Sequence, residues 1–258
     1  MTTPTIHKKR IGRHILLLEL DNPPANSLST TMKEKFLQLL EEIEEDPTVR
    51  VVIITGSGNK FCAGDDLKQA MSNASSKGRI INNLKNFSKV IDRVEALPIP
   101  TIAAINGWCI GGGLELALCC DIRMAADNSN YIAAGVNVGL TASGYRLPRI
   151  IGIGPAKRIL LTGDKIDAQQ ALRFGLVTDL YPPNMLLEEV IRLAKVIASK
   201  APLALKATKQ IVNTALDFTA KESIVAQQQF LEKLAESEDH QEALIAFSEK
   251  RKPNFRGC

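Results

Sequence analysis

Twice in the first part of the chain an amphipathic helical segment leads straight into a short, uninterrupted apolar strand. In residues 29–45 the apolar positions Met32, Phe36, Leu39, Leu40 and Ile43 recur at intervals of three and four, and the β-branched run Arg50 to Thr55 follows. The cycle returns with Leu84, Phe87, Val90, Ile91 and Val94, is stopped by Pro98 and Pro100, and ends in Thr101 to Ile105. Spacings of three and four put side chains on one helical face, whereas an apolar run without polar alternation suits a strand covered on both sides. Ile15 to Leu20 reads as a further strand, broken by Asn22-Pro23-Pro24. Helices alternating with buried strands predict a layered α/β domain.

From Met185 to Ser199 and from Leu203 to Lys250 the strand pattern disappears and the chain reads as helix. The expected division is a core of residues 1–195 and a C-terminal helical oligomerisation region of residues 196–258. Ile224, Ala226, Phe230, Leu231, Leu234, Leu244 and Phe247 form an apolar stripe that must be covered. Either it folds back on its own domain or it packs against another subunit.

Several classes of function lack their parts. The longest apolar runs fall far short of the roughly 20 residues a membrane span needs. Lys8, Lys9, Arg10 and Arg13 precede an apolar stretch too short for a signal peptide and followed by Glu19 and Asp21, so a cytoplasmic location is expected. The five cysteines, Cys62, Cys109, Cys119, Cys120 and Cys258, are odd in number and form no C-x-x-C pair. His7, His14 and His240 are too scattered for a metal site or a histidine-based triad. A net charge of +4 spread along the chain, with 5% aromatic residues, argues against nucleic-acid binding.

Two glycine-bearing segments sit directly after predicted strands. Gly56-Ser57-Gly58-Asn59-Lys60-Phe61-Cys62-Ala63-Gly64-Asp65-Asp66-Leu67-Lys68 follows Thr55, and Asn106-Gly107-Trp108-Cys109-Ile110-Gly111-Gly112-Gly113-Leu114-Glu115 follows Ile105 and opens an apolar helix. Backbone N–H groups in such places, free of ladder partners, can be aimed at an anion or a carbonyl oxygen. Neither segment matches a nucleotide-phosphate loop. Glu115 lies within Leu114-Glu115-Leu116-Ala117-Leu118, where a carboxylate is costly unless it is paired or used. It is either a structural group satisfied by the helix start or an arginine, or a working acid/base.

These two segments, together with Leu161-Thr162-Gly163-Asp164 and Phe247-Ser248-Glu249-Lys250-Arg251-Lys252-Pro253-Asn254-Phe255, resemble in order and spacing the signatures of the enoyl-CoA hydratase/isomerase (crotonase) superfamily. The resemblance covers nearly the whole chain. It implies a crotonase-like spiral of ββα units with a C-terminal helical trimerisation region, assembled as a homotrimer or homohexamer. It also implies an acyl-CoA thioester as substrate, as in fatty acid metabolism, with coenzyme A entering as part of that substrate and no separate cofactor or metal. By residue, it implies an oxyanion hole from the N–H groups of Ala63 and Gly112 and Glu115 as acid/base. Gly64, Asp65 and Asp66 would lie along the CoA, and Phe247 and Lys250 would approach its nucleotide end. The alternatives for Phe247 and Lys250 are helix packing and a solvated charge.

One departure bears on the reaction. Family hydratases carry a second catalytic glutamate, and in Tyr131-Ile132-Ala133-Ala134-Gly135-Val136-Asn137-Val138-Gly139-Leu140 its position falls on Gly135. The loop before Arg146 is also shortened, to Thr141-Ala142-Ser143-Gly144-Tyr145. Paired carboxylates share the work of hydration. With Glu115 alone, the expectation is isomerase, hydrolase, decarboxylase or weak hydratase activity, with Asn137, Thr141, Ser143 and Tyr145 as candidate replacements. The alternative is a non-catalytic CoA-thioester binding protein.

Overall fold

Strands that leave one sheet for another in consecutive pairs build this fold. The computed structural model describes residues 3–66 and 77–258, so Leu67 and Lys68 of the first glycine segment lie outside the described residues. The chain opens with an antiparallel hairpin, β1 (Thr5–Ile11) and β2 (Ile15–Asp21), turning at Gly12 with φ +60°. Helix α1 (Thr30–Glu45), β3 (Val51–Gly56) and β4 (Lys60–Cys62) follow. Next come α2 (Lys77–Ala96), β5 (Thr101–Ile105), β6 (Trp108–Ile110) and α3 (Gly112–Cys119). The third pair, β7 (Ile122–Ala126) and β8 (Asn130–Ile132), leads through a 3₁₀ turn at Val136–Val138 to α4 (Arg146–Ile151) and α5 (Ile153–Thr162). Then follow β9 (Lys165–Asp167), α6 (Ala168–Phe174), β10 (Asp179–Tyr181), α7 (Pro183–Ala198), α8 (Pro202–Thr214), α9 (Ala220–Ala235) and α10 (Glu238–Ser248).

β3, β5 and β7 join a six-stranded sheet ordered β1-β2-β3-β5-β7-β10, parallel from β2 onward. Their successors β4, β6 and β8 join a four-stranded sheet ordered β4-β6-β8-β9. Each ββα unit therefore advances one place along both sheets at once, and the result is the crotonase-like spiral that the motifs imply.

Burial on both faces of the large sheet explains its continuous apolar strands. Leu16, Leu18, Val52, Ile54, Ala103 and Ile105 face the main core, where Met32, Phe36 and Leu40 of α1 meet them. Ile15, Leu17, Val51, Ile53, Ile102 and Ala104 face the other way, against Leu186, Val190, Ala194 and Ala198 of α7. Helix α7 runs unbroken across residue 195, the last residue of the expected core. The α1 cap is local: the Ser29 hydroxyl accepts from Met32 N–H at 3.3 Å. No helix among the described residues is long and apolar enough to cross a membrane.

Candidate active site

Three loops meet where β4 and β6 end. Asn26 Nδ2 donates to the carbonyls of Ser57 (2.9 Å) and Lys60 (2.7 Å), and Asn106 Nδ2 donates to those of Gly56 (2.7 Å) and Gly58 (2.9 Å). Two asparagines thus brace the turn that aims β4. Beyond it, Ala63 N–H donates to the Ala25 carbonyl at 3.0 Å, and Leu28 N–H donates to the Gly64 carbonyl at 2.7 Å. The segment after β4 is stapled along its length to the loop before α1.

The facing wall is the start of α3, entered through Gly111 at φ +52°. A methyl group on Gly64, whose φ is +82°, would stand 2.5 Å from Gly112 N. One on Gly112 would meet the Phe87 ring at 2.6 Å, and one on Gly113 would overlap the Cys62 carbonyl. Backbone therefore lies directly on backbone, a contact that side chains would prevent. Gly112 N–H, at the positive end of α3, has no acceptor among the described residues.

Ala63 is a correction to the expected pair of donors. Its N–H is already spent on Ala25, and Gly64 N–H points to the Cys62 sulfur at 3.3 Å. The next N–H, that of Asp65, has no acceptor among the described residues. The resemblance sets Asp65 along the CoA without marking its backbone N–H, because the bond that occupies Ala63 comes from a distant loop.

Glu115 sits in the first turn of α3 and is 7% exposed. Its Oε2 is 3.4 Å from Arg146 Nη1, while Oε1 is buried without a hydrogen-bond partner. Both alternatives for this carboxylate are therefore half met: one oxygen leans on an arginine, and the other is left for something else. Arg146 is itself shared, with Glu95 at 2.7 and 3.1 Å and Asp92 at 3.2 Å. Burial works against its charge, but the hydrogen bonds to Glu95 outweigh this and raise its pKa above the ordinary arginine value.

The segment around Gly135 has closed up. A methyl group on Gly135 would stand 3.0 Å from the Leu140 carbonyl and 3.1 Å from Ala142 N, and Leu140 N–H donates to the Gly135 carbonyl at 2.9 Å. Among the candidate replacements, Asn137 Nδ2 donates to the Gly163 carbonyl at 2.9 Å, and Tyr145 is exposed, its ring 4.8 Å from the Arg149 guanidinium. Ser143 is buried at φ +58°, and Thr141 is exposed. The Leu161-Thr162-Gly163-Asp164 motif is a helix-ending turn, with Gly163 at φ +63° capping α5. Cys62, which borders the site, has its thiol pushed up to about 12 by burial and stays protonated at neutral pH.

Phe247 lies near the end of α10, 86% exposed, and Lys250 follows it, exposed, at φ +53°. The tail beyond them is anchored. Arg251 pairs with Glu242 at 2.6 and 2.8 Å, the Asp239 carboxylate accepts from Arg256 N–H (2.6 Å) and Gly257 N–H (2.9 Å), and Arg50 donates to the Phe255 carbonyl at 2.6 Å.

Spiral, glycine contact and helix start together define an α/β protein of the crotonase-fold class. The structure of an enoyl-CoA hydratase from Bacillus anthracis superposes with a TM-score of 0.94 at 34% identity, covering 98% of this chain and 99% of that one. The family model for enoyl-CoA hydratase/isomerase matches residues 10–258. An enoyl-CoA isomerase/hydratase of Mycosarcoma maydis is 38% identical over 253 residues, 93% of this chain and 92% of its own. A crotonyl-CoA hydratase of Syntrophomonas wolfei is 36% identical over 246 residues, 93% of this chain and 94% of its own. The chain belongs to the enoyl-CoA hydratase/isomerase family, whose members act on acyl-CoA thioesters.

Proposed function

We propose that the protein moves the double bond of an enoyl-CoA thioester, with Glu115 as its single acid/base. The carrying observation is the buried, unpartnered Glu115 Oε1 beside a helix start, combined with backbone packed around Gly135. The thioester oxygen accepts hydrogen bonds from Gly112 N–H and Asp65 N–H. Glu115 removes a proton from the α-carbon, and the negative charge passes through the conjugated chain to that oxygen. Pre-aimed donors and the α3 dipole stabilise it there. Glu115 then returns the proton at the γ-carbon. Adding water needs a second group to activate it, and the segment at Gly135 supplies no carboxylate. A non-catalytic binder would gain nothing from burying a carboxylate with one oxygen left unpartnered.

Incubation with a 3-enoyl-CoA in deuterated water, followed by mass spectrometry, tests this. The expected product is the 2-enoyl isomer with no added water, carrying deuterium in those turnovers in which the proton on Glu115 exchanges with solvent before its return. Rapid hydration that depends on Glu115 would overturn the single-carboxylate reading. Loss of carbon dioxide from a carboxylated thioester, or release of free CoA, with no isomerisation, would replace it by decarboxylation or hydrolysis at the same oxygen site.

Ile224, Leu231, Leu244 and Phe247 on α9 and α10 are exposed in the single chain, which favours a neighbouring subunit over folding back. A homotrimer or homohexamer covers this stripe, with Phe247 and Lys250 closing on the nucleotide end of CoA and Gly64 to Asp66 running along it. Light scattering should give a mass three or six times 28.1 kDa. The combined variant Leu231→Glu, Leu244→Glu should reduce it; an unchanged mass would place the interface elsewhere.

A further inference from the structure

Proton transfer by Glu115 does not account for the buried charge of Lys33. Lys33, on the core-facing side of α1, has a side chain only 2% exposed, and an ammonium group in such a place is costly unless it is paired. Its Nζ donates to Asp65 Oδ1 at 2.8 Å and to Asn83 Oδ1 at 2.6 Å. Asn83 Nδ2 in turn donates to Asp65 Oδ2, and Asp66 N–H reaches Asp65 Oδ1 at 3.2 Å. The ring of three side chains joins α1, the segment after β4 and α2. Both carboxylate oxygens of Asp65 are held, so its side chain has one orientation.

The ring also reaches the oxygen site. Asn83 and Phe87 are four residues apart and share a face of α2. Phe87 and Gly64, the latter next to Asp65, both lie against Gly112. One helical face therefore touches both proposed donors. Asp65 brings a carboxylate to the residue whose N–H meets a developing negative charge, and alone that carboxylate would oppose it.

We propose that Lys33 is a positioning residue for the oxyanion site: it neutralises Asp65 and, with Asn83, fixes the Asp65 backbone N–H beside Gly112. The inference rests on the reading of the oxygen site given above. It assigns work to a residue outside all the motifs.

Acetoacetyl-CoA tests it without turnover. This thioester loses one α-proton to give an enolate that absorbs in the ultraviolet, and a site that stabilises the thioester oxygen increases the enolate fraction at a given pH. Wild-type protein should bind it and show the enolate band. Lys33→Met should retain binding within a few-fold but show at least about tenfold less enolate at neutral pH, through the uncompensated Asp65 charge. Adding Asp65→Asn to Lys33→Met removes that charge and should recover most of the band, and Lys33→Arg should keep it. The double variant buries no unpaired charge, so it carries the test even if Lys33→Met does not fold. A merely structural role predicts the opposite order, with the double variant at least as impaired as the single one and both following their melting temperatures. That order, or equal enolate in wild type and Lys33→Met, overturns the inference and leaves the oxygen site standing. Absence of the enolate band in wild type overturns both.

Discussion

Glu115→Gln should lower α-proton exchange in a bound acyl-CoA by about 10²- to 10⁴-fold, the range typical for loss of a general acid/base. The amide keeps the shape of the side chain and can still meet Arg146 through its oxygen, so packing and thioester binding should survive. Stability separates this from a structural role. In the native protein Oε1 is buried without a partner, and an uncharged amide costs less to bury than a carboxylate. The melting temperature of Glu115→Gln should therefore equal or exceed that of wild type while exchange is lost. Measurement is by deuterium uptake into the thioester together with thermal unfolding. Exchange retained with a large fall in melting temperature would make Glu115 a structural partner of Arg146 and remove it from the chemistry.

The parts of this fold that could be read from the sequence are those set by local pattern. Strands β2, β3 and β5 are continuous apolar runs because α7 covers one face of the sheet and α1 the other. Helix α1 announces itself by its stripe, whereas Lys33, within Lys33-Glu34-Lys35, looks like solvated charge. A signal was present, since Lys33 precedes Phe36 by three residues and shares its stripe. Strand β1 gives no strand signal in the sequence, because Lys8, Lys9 and Arg10 are exposed at the sheet edge and leave no apolar alternation. Strands β4, β6 and β8 have three residues each and exist through pairing with one another, which no local window reveals. The site follows the same division. Gly112 and Glu115 are marked by glycines and by a lone carboxylate in an apolar turn. The engagement of Ala63 by Ala25, the sharing of Arg146 and the Lys33 ring depend on contacts between distant segments.

The contact of Gly64 with Gly112 can be tested separately from the conformation that Gly64 adopts. Gly64→Ala incurs two costs. A residue with a side chain at φ +82° loses about 1 kcal/mol or more, and the new methyl group, 2.5 Å from Gly112 N, pushes the two backbones apart. Gly175→Ala is the matched control: φ there is +75°, at the end of α6, and nothing lies within 4 Å of the added methyl. Both variants should melt below wild type, Gly64→Ala by more. Only Gly64→Ala should lose catalysis, by about 10²- to 10³-fold in kcat, the scale for removing one donor from an oxyanion site. Proton exchange and thermal unfolding, measured on both proteins, check this. If Gly64→Ala keeps wild-type exchange, the approach of the two backbones serves folding alone, and the thioester oxygen is held by other groups. If it loses exchange while Gly175→Ala does not, general destabilisation by a strained glycine position is excluded as the cause, and the local geometry of Gly64 against Gly112 becomes the source of the proposed oxyanion site.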